Sequence, residues 1–595
     1  MSSDPGVVLT LSFRNAIVAA FGEEHSDVDP ALRVSQHADY QADVAMALAK
    51  KLRKPPREVA AAIVEGLSLE GVAEKVAIAG AGFINVTLGD AFLTGAARTI
   101  AADERLGVAH AAVSETVVVD YSSPNVAKEM HVGHLRSTII GDCLVRVLEA
   151  IGHRVIRQNH VGDWGTPFGM LIEHLLDLGE AGARELGLRD LNAFYRDARK
   201  KFDADEASRI TTHALPKLAQ TFADRSRRRV VLLQAGDPST LAHWKTLVEQ
   251  SALYFGDVYA RLGVRLLRDD IVGESFYNHV LAPTLAELEA MGLAVSSDGA
   301  LCVFPPGFAG RDGAPLPLIV RKQDGGYGYA TTDLAAVKHR TGTLGATRLL
   351  YVVGAPQAQH FDMVFATARL AGWLVPPAQA RHVAFGSVLG PDRKMLKTRE
   401  GDAIKLTRLI DEAIERAGAK VLEKNPDLPA DERADLARKI GIGAVKYADL
   451  SNDRIKDYVF DWNRMLAFEG NTAAYVMYCC ARSNSIFRNG AVGSGDERSV
   501  SGADLTIEGA AEHALAAALL RFGSTVRHVA ETLEPHHLCG YLFEVAGLFA
   551  TFYQACPVLQ AAGSTRRSRL ALCELTARVL GRGLDLLGIE APARM

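Results

Sequence analysis

Two histidines separated by a valine and a glycine are the residues of this sequence best suited to chemistry. His131-Val-Gly-His134 lies between the loop after a short β-branched segment and a long segment with apolar residues at helical spacing. A helix N-terminus offers free N–H groups and a partial positive charge, which suit a phosphate chain. Both imidazoles can reach phosphate there, and Gly133 leaves room for a flat ring to approach the backbone. The alternative is that the histidines only cap the helix.

Two lysines with the same three-residue spacing form a second candidate site. Lys394 and Lys397 lie in the segment GPDRKMLKTREG, whose glycines and proline are typical of a mobile loop. Two ammonium groups on such a loop can hold the charge that develops on a leaving pyrophosphate, where positioning and electrostatics provide most of the catalysis. A solvated basic turn would have the same pattern.

The composition is that of a folded multidomain protein. The 595 residues are 48% hydrophobic and 23% charged, and a net charge of −4 means that a nucleic-acid partner must be held by local basic patches. Seven cysteines without a CxxC pair argue against both disulfides and zinc. The N-terminal segment is a poor signal peptide, and no apolar stretch is long enough for a membrane span. We therefore expect a cytoplasmic enzyme without zinc, without another protein-bound metal and without a membrane partner.

Three regions differ in their predicted elements. Residues 1–112 are predicted to form a small α+β domain, 113–405 an α/β domain with a charged helical insertion at about 175–290, and 406–595 an all-α domain. Periodicity predicts helices over 40–52, 57–66 and about 135–151, and strands over 83–88, 116–119, 318–320, 349–353 and 382–385, with a further strand starting at 155. Strand 116–119, the long helix and the strand at 155 make a βαβ unit.

Longer motifs, in consistent order along the chain, resemble the class I arginyl-tRNA synthetases. They are Ser122–His131 (SSPNVAKEMH), Asn159–Gly165 (NHVGDWG), Asp324–Ala330 (DGGYGYA) and Asp461–Asn471 (DWNRMLAFEGN), and the similarity extends from Asp39 to Met595. HVGH and KMLKT resemble the two signatures of that class. The resemblance implies a multidomain α/β protein: a Rossmann-like catalytic domain, an N-terminal α+β domain at the tRNA elbow and an α-helical anticodon-binding domain.

The resemblance also implies an arginine site. Asp120 and Asn125 would hold the α-amino and carboxylate end, and Tyr329 and Asp333 would face the guanidinium, a group that favours planar carboxylate recognition. The full implied set is Asp120, Ser122, Asn125, His134, Tyr329, Asp333 and Gln357, with Gln359 as the alternative to Gln357. Asp120 has the alternative role of an ordinary loop acid, and Asp333 that of a helix N-cap.

The ATP residues that the resemblance implies lie in both signatures. They are Lys128, His131, Gly133, His134, Lys394 and Lys397, of which the two histidines and the last two lysines are catalytic. Leu396 and Thr398 replace the usual two serines of the second signature, so the lysine pair is kept and one hydroxyl is lost. Mg²⁺ is expected with the ATP, although the sequence shows no dedicated carboxylate cage for it.

The implied activity has two steps. Arginine and ATP form arginyl-adenylate and pyrophosphate, and the terminal ribose of tRNA(Arg) then takes the arginyl group; in this family the first step itself requires tRNA. The monomeric enzyme would contact a D-loop base through Phe83 and Asn85 and stack anticodon bases on Tyr475 and Tyr478. All three rings have the alternative of lying in the core. The run 225–229 (RSRRR) is a solvated helix face or a phosphate contact.

Three other functions remain open from the sequence. Another class I synthetase, such as one for cysteine, would need a zinc-thiolate pocket, which the scattered cysteines do not favour. A nucleotidyltransferase would use the same histidine motif but would leave the helical last third without a purpose. A non-catalytic tRNA-binding relative would be expected to have lost His131, His134 or Lys397, and all three are present.

Overall fold

The computed structural model describes residues 3–185, 191–212, 221–323, 325–396, 404–490 and 501–595. The helices are α1 (Pro5–Phe21), α2 (Val44–Leu52), α3 (Pro56–Glu65), α4 (Asp90–Ala102), α5 (Val132–Ala150), α6 (Thr166–Glu185), α7 (Leu191–Thr212), α8 (Phe222–Gln234), α9 (Pro238–Leu262), α10 (Asn278–Ala290), α11 (Tyr329–Lys338), α12 (Ala358–Leu370), α13 (Leu406–Lys424), α14 (Ala430–Leu450), α15 (Trp462–Met465), α16 (Ala473–Gly490), α17 (Ala510–Leu519), α18 (Phe522–Thr532), α19 (His536–Ala555) and α20 (Gly563–Leu586). The strands are β1 (Leu32–Val34), β2 (Tyr40–Ala42), β3 (Ala73–Ala79), β4 (Phe83–Leu88), β5 (Thr116–Asp120), β6 (Arg154–Gln158), β7 (Ala294–Ser297), β8 (Ala300–Val303), β9 (Leu318–Arg321), β10 (Arg348–Tyr351), β11 (Gln379–His382), β12 (Val388–Leu389) and β13 (Tyr458–Val459).

The chain divides into two compact units. The first contains Met1–Ala111, Arg416–Ser451 and Asn463–Met595, and the second contains Ala112–Glu415 and Asn452–Trp462. Among the described residues, those predicted to bind ATP and arginine belong to the second unit, and those predicted to bind tRNA belong to the first. Within the described ranges, no helix is both long enough and apolar enough to cross a bilayer.

A four-stranded parallel sheet in the second unit has the order β11-β10-β5-β6. The three valines of β5 are buried, as expected for a parallel strand covered on both faces. The chain leaves β5 for β6 on one side, whereas β10 lies on the other. The carboxyl ends of β5 and β10 therefore form a topological switch point, where open α/β sheets bind their ligands.

Helix α5 confirms the long helix predicted after the first strand. Its side chains are buried along almost its whole length, so its position against the sheet is tightly fixed. A β-carbon at Gly141 would lie 2.3 Å from the ring of Tyr121, and only glycine lets the helix come this close to the residue after β5. This contact fixes the middle of α5 relative to the strand that precedes it.

Two predicted segments are wrong in part. Residues 40–42 belong to strand β2 rather than to a helix, because they pair with β4 on one side and β1 on the other. This pairing with distant residues overrides the local helical spacing. The strand predicted over 382–385 instead covers Gln379–His382, an edge strand with an exposed, polar sequence that carries no apolar signal.

The strand predicted at 318–320 exists but belongs to a different sheet. β9 pairs with β8 in a three-stranded antiparallel sheet of order β7-β8-β9, outside the parallel sheet. Helices α6, α7, α8, α9 and most of α10 confirm the helical character predicted for about 175–290, and its role as an insertion stays a prediction. The loop predicted at 489–495 lies largely outside the described residues.

The first unit joins the N-terminal sheet, of order β1-β2-β4-β3, to helices from the end of the chain. Arg98 Nε donates to the Leu505 carbonyl at 2.8 Å, and Arg578 Nη2 donates to the Asp103 carbonyl at 2.8 Å. His513 of α17 bonds Asp39 through Nε2 at 3.1 Å and Asp90 through Nδ1 at 2.7 Å. Contacts between the N-terminal and C-terminal parts of the chain therefore stabilise the first unit.

His513 makes the stability of this unit depend on pH. Its hydrogen bonds to Asp39 and then Asp90 raise the pKa of the imidazole from 6.5 to about 9. A raised pKa stabilises the fold fully below 6.5, and this contribution is lost as the pH rises through about 9. We expect His513→Gln to lower the unfolding temperature at neutral pH and to have little effect above the raised pKa, as measured by thermal unfolding across this range. A difference that stays constant with pH would contradict this prediction.

Candidate active site

Asp120, at the carboxyl end of β5, is one half of a buried ion pair. Its Oδ2 accepts from Arg340 Nη2 at 2.7 Å, and its Oδ1 accepts from Ser123 Oγ at 3.1 Å. Arg340 also donates to Gln158 Oε1 at 2.6 Å and is completely buried. Asp120 is therefore not an ordinary loop acid. Its carboxylate is held in one orientation with acceptor capacity left over.

The loop after β5 is held in an unusual backbone conformation. Ser122 and Ser123 have φ of 73° and 46°, which costs a non-glycine residue of order 1–3 kcal/mol. The Ser122 hydroxyl bonds Tyr259 at 2.7 Å, and the Ser123 amide donates to Asn159 Oδ1 at 2.9 Å. Ser122 is buried, and its hydroxyl is used by protein partners. In this structure it supports the loop.

Asn125 is exposed further along the same loop. It pairs with Gly162 of the NHVGDWG motif, where a β-carbon would lie 2.4 Å from Asn125 Oδ1. This close approach requires the glycine. Lys128 lies near the end of the loop, with its Nζ 4.2 Å from the centre of the Tyr195 ring.

The two histidines do cap helix α5, and the way they do so defines their chemistry. His131 is the N-cap: its Nδ1 accepts from the Gly133 amide at 3.0 Å, and its own amide donates to His134 Nδ1 at 3.1 Å. Because Nδ1 is the acceptor in each neutral ring, the ring proton is assigned to Nε2. The capping alternative and the phosphate-binding role are therefore compatible. Each ring keeps an Nε2–H donor.

Both imidazoles are held in the neutral form. Burial, together with the neighbouring His131, lowers the pKa of His134 to about 3. Burial and then Lys128 lower the pKa of His131 as well. The ring centres are 4.0 Å apart, so the two rings form one pair of neutral donors at the helix N-terminus. Such donors stabilise an anionic phosphate without first losing a proton to it.

The second signature begins as a tight turn after β12. The Gly390 amide donates to the Lys394 carbonyl at 2.7 Å, and Met395 pairs back with Leu389. Lys394 is exposed on this turn. Lys397 and Thr398 lie outside the described residues.

The chain that follows this signature lies beside the histidine pair. The Val132 amide donates to the Ile404 carbonyl at 3.0 Å, and the Leu406 amide donates to the Met130 carbonyl at 2.9 Å. Lys405 Nζ contacts Glu129 Oε2 at 2.7 Å. The structure therefore brings the segment after the second signature against the start of α5, although the two motifs are far apart in sequence.

Tyr329 and Asp333 lie one turn apart at the start of α11. The N-cap of α11 is Gly328. The alternative role of Asp333 as the N-cap of this helix is therefore wrong. Asp333 Oδ2 instead contacts His360 Nε2 at 2.6 Å, and this bond raises the pKa of His360. Tyr329 is 76% exposed, which leaves its ring and hydroxyl available to a ligand.

Glu274 is an acid of this site that the sequence analysis missed. Burial, followed by the charges of Asp163 and Asp333, raises its pKa to about 8. Glu274 also contributes to the raised pKa of Tyr329, after burial. A cation would stabilise the ionised form of a buried carboxylate whose pKa neighbouring acids raise. None of the motifs singled out in the sequence includes Glu274, which lies near the end of the predicted helical insertion at about 175–290.

The two candidate glutamines lie at the start of α12. Gln357 and Gln359 are both exposed, and His360 follows them directly. The contact between His360 and Asp333 brings this first turn of α12 to α11. The choice between the two glutamines stays a prediction.

Phe83 and Asn85 share the outer face of strand β4. Ile84, Val86 and Leu88 alternate with them and are fully buried, whereas Phe83 is only half-buried. The alternative that Phe83 is a core residue is therefore wrong. Asn85 Oδ1 accepts from Gln41 Nε2 at 2.7 Å, which fixes its amide on that face.

Tyr475 and Tyr478 lie on the accessible face of α16. Tyr478 is 38% exposed and accepts from Arg482 Nη1 at 3.3 Å, whereas Val476 and Met477 are buried. The Tyr475 ring lies 5.7 Å from that of Phe543. Neither tyrosine is a core residue. The two rings stay candidates for stacking with unpaired bases.

The arginines of 225–229 are largely neutralised by acids. Arg225 binds Glu173 at 3.0 Å and Asp177 at 2.7 Å, and Arg229 binds Glu173 at 2.7 Å. Arg227 contacts Glu206. These ion pairs tie α8 to α6 and α7, while the three side chains stay partly exposed to solvent.

Comparison with known families decides between the functions left open by the sequence. A family model described as tRNA synthetases class I (R), catalytic domain, matches residues 97–462, which is more than half of the chain. The chain belongs to the class I arginyl-tRNA synthetases. Models described as the arginyl tRNA synthetase N terminal domain and the DALR anticodon binding domain match residues 8–88 and 476–595.

Individual relatives agree with this assignment along the whole chain. An arginine–tRNA ligase of Thermobifida fusca is 54% identical over 100% of both chains, and one of Escherichia coli is 48% identical over 99% of both. Arginyl-tRNA synthetase structures from Plasmodium falciparum and Thermus thermophilus superpose with TM-scores of 0.80 and 0.79. Their identities are 28% and 26%, and they cover 99% of this chain and 99% and 100% of their own. The enzyme is accordingly an arginine–tRNA ligase of the Rossmann-like class I fold.

Residues 452–462 pack against the chain that leads into the second signature, the KMLKT motif. Residues 452–462 leave the first unit, and their strand β13 pairs in parallel with β12. Asp457 Oδ1 accepts from the Ser387 amide at 2.5 Å, and Arg454 Nη1 donates to the Ala384 carbonyl at 2.6 Å. A β-carbon at Gly386 would lie 2.7 Å from Asp457, so this junction is tightly packed. It positions the turn that carries Lys394.

We expect Asp457→Ala to lower the kcat of ATP–pyrophosphate exchange about tenfold while the KM for arginine stays nearly constant. The lost hydrogen bond frees the turn with Lys394 and leaves α11 and α12 intact, and small misplacements of this kind are costly. Steady-state kinetics with each substrate varied would measure both constants. Asp453→Ala, four residues earlier, is the matched control. An equal rise in both KM values with unchanged kcat would contradict the prediction.

Proposed function

We propose that the enzyme activates L-arginine with ATP at the carboxyl ends of β5 and β10 and transfers the arginyl group to the 3′-terminal ribose of tRNA(Arg). The observation that carries this proposal is the pairing of two neutral Nε2–H donors at the start of α5, in the same unit as a carboxylate cluster around Asp333. The donors suit a phosphate chain, and the carboxylates suit a guanidinium. An enzyme that joins arginine to a nucleotide needs both.

In the first step, an arginine carboxylate oxygen attacks the α-phosphorus of ATP in line. The bond from that phosphorus to the oxygen bridging to the β-phosphate breaks, and pyrophosphate leaves. His131 and His134 donate to the phosphate oxygens, while Lys394 and Lys397 stabilise the β- and γ-phosphates. Lys128 and the Gly133 backbone complete the ATP contacts. No side chain forms a covalent intermediate.

Arginine is oriented by groups at both of its ends. Asp120 accepts from the α-ammonium, Asn125 contacts the carboxylate end, and Asp333 with Tyr329 faces the guanidinium. Glu274 adds a second carboxylate to this end, and Gln357 lines the pocket. Planar guanidinium recognition by paired carboxylates distinguishes arginine from lysine, whose ammonium presents a point charge.

In the second step, the terminal ribose hydroxyl of the tRNA attacks the mixed anhydride, and AMP leaves. Phe83 and Asn85 contact the tRNA elbow, and Tyr475 and Tyr478 stack anticodon bases. We propose a monomeric, cytoplasmic enzyme with the domain division 1–112, 113–405 and 406–595. Robust ATP–pyrophosphate exchange without tRNA would contradict the requirement of the first step for tRNA.

Mg²⁺ enters with ATP in this proposal. The acid closest in sequence to the histidine pair, Glu129, is bound to Lys405 at 2.7 Å and does not form part of a carboxylate cage. Mg²⁺ is commonly held through substrate phosphates with few protein ligands, which fits this site. The ion would neutralise phosphate charge, and no protein-bound zinc takes part in the reaction.

The deciding experiment is aminoacylation of bulk tRNA with each of the twenty labelled amino acids, ATP and Mg²⁺. We expect charging with arginine alone and loss of charging in His134→Ala. Adenylyl transfer to a small molecule without any charging would support a nucleotidyltransferase instead. Binding of tRNA without charging would indicate a non-catalytic relative.

Glu274 makes arginine binding depend on pH. With a pKa of about 8 it is protonated in the free enzyme at neutral pH, and the guanidinium favours its ionised form. Burial makes ionisation of the Glu274 carboxyl unfavourable in the free enzyme. Arginine binding at neutral pH must therefore release the Glu274 proton. We expect the KM for arginine to fall as the pH rises towards that pKa, by at most about tenfold per pH unit.

Glu274→Gln tests this coupling. The variant should bind arginine more weakly at every pH and lose the part of the pH dependence that Glu274 contributes. Ionisation of arginine itself affects both proteins equally, so the comparison cancels it. Identical pH profiles of KM in both proteins would refute the role of Glu274.

A further inference from the structure

Three histidines and a glutamate meet in the first unit at the junction of α18 and α19. His528 lies on α18, Glu534 lies in the short connection, and His536 and His537 are the first residues of α19. All four belong to the anticodon-binding family region at 476–595, and none takes part in the proposed reaction. The scattered cysteines led to the prediction of no protein-bound metal, and these four residues do not form a recognisable motif in the sequence.

The cluster is compact enough for one ion. His537 Nε2 lies 3.0 Å from Glu534 Oε2, and the ring centres of His536 and His537 are 4.1 Å apart. One ligand atom from each of Glu534, His536 and His537 lies within 4.8 Å of the other two. In a tetrahedral zinc site with bonds of about 2.0 Å, neighbouring ligand atoms lie about 3.3 Å apart. Ion binding at this cluster therefore requires the ligand atoms to move closer together than they lie in the absence of an ion.

A third imidazole lies beside these three side chains. The His528 ring lies 4.6 Å from the His537 ring, centre to centre, on the helix that precedes the connection. The three residues Glu534, His536 and His537 are half-buried, so an ion can enter while part of its surroundings is already protein. Two imidazoles and one carboxylate, with a third imidazole beside them, suit a borderline transition metal, whereas Mg²⁺ and Ca²⁺ require mostly oxygen ligands.

We propose that Glu534, His536 and His537, with His528 beside them, bind one divalent transition-metal ion of the Zn²⁺, Ni²⁺ or Co²⁺ class. The ion links the end of α18 to the start of α19 and stabilises the helical part of the first unit. This site is separate from the Mg²⁺ that accompanies ATP and does not depend on the proposed reaction.

The test uses the full chain after removal of metals with a chelator. Co²⁺ is titrated in the absence of ATP and tRNA and followed by its visible absorption, and Zn²⁺ is titrated by calorimetry. We expect one ion per chain. His537→Ala and Glu534→Gln should each weaken binding at least as much as the roughly tenfold that loss of an outer partner of a metal ligand costs. His37→Ala removes an exposed histidine of the same unit and should bind like the original protein.

Thermal unfolding gives a second readout. Zn²⁺ should raise the unfolding temperature of the original protein and of His37→Ala, and leave that of His537→Ala unchanged. Circular dichroism establishes that the variants are folded, and aminoacylation by His537→Ala should be retained. Equal metal affinity in all four proteins would mean adventitious surface binding and would overturn the proposal, as would the absence of binding by the original protein.

Discussion

Replacing His134 with alanine is expected to lower the kcat of ATP–pyrophosphate exchange by roughly 10²- to 10³-fold, the usual cost of removing one preorganised transition-state donor. His134 Nδ1 is occupied by the His131 amide, so its Nε2–H is the atom directed to a ligand. The capping bond is lost in the same variant, which costs about 1 kcal/mol of stability. An unfolding measurement must therefore accompany the kinetics. A folded variant with normal exchange would remove His134 from the catalytic residues.

The pKa of His134 also determines which titration is absent from the pH dependence of activity. With a pKa near 3, the His134 ring stays neutral throughout the working range. Because the unfolded chain binds a proton on this ring that the folded enzyme does not, the ring lowers the stability of the fold progressively as the pH falls from 6.5 to about 3. We therefore expect His134 to contribute no titration of activity near pH 6.5. The pH profile of the original enzyme should contain no step in that range that is missing in His134→Ala. Such a titration would mean that the imidazolium, rather than the neutral donor, takes part in catalysis.

The second large effect is expected at Asp333. Asp333→Asn removes the charge that we propose faces the guanidinium and also weakens the contact with His360. Truncating one partner of a buried charge pair costs about 2–5 kcal/mol, or roughly 30-fold to more than 10³-fold. We expect that loss in kcat/KM for arginine, while the KM for ATP changes little. Asp362→Asn, an exposed acid on the same helix as His360, is the matched control.

Citrulline separates the effect of charge at Asp333 from that of shape, because it is nearly isosteric with arginine and its side chain is uncharged. The original enzyme should discriminate strongly between the two, since a site built for a charged donor rejects the neutral analogue. Asp333→Asn should reduce this discrimination by lowering activity with arginine far more than with citrulline. An equal loss for both substrates would mean that Asp333 acts through shape alone.

The local sequence determined the elements whose signals are short-range. The β-branched run of β5 and the apolar spacing of α5 were sufficient to predict the βαβ unit and to place His131 at a helix start. The motif order was sufficient to predict the family, which the comparisons confirm. These features depend on neighbouring residues, so a linear pattern contains them.

Only the tertiary structure decided which distant residues meet. Strand β2 exists because β1 and β4 pair with it, against its own helical spacing. Asp120 meets Arg340, Asp333 meets His360, and the charges of Asp163 and Asp333 act on Glu274. The physical reason is that strand pairing, burial and ionisation depend on groups brought together by folding. The sequence therefore determined which chemistry the chain carries, and the fold decided which of its charges are paired, buried or left for a ligand.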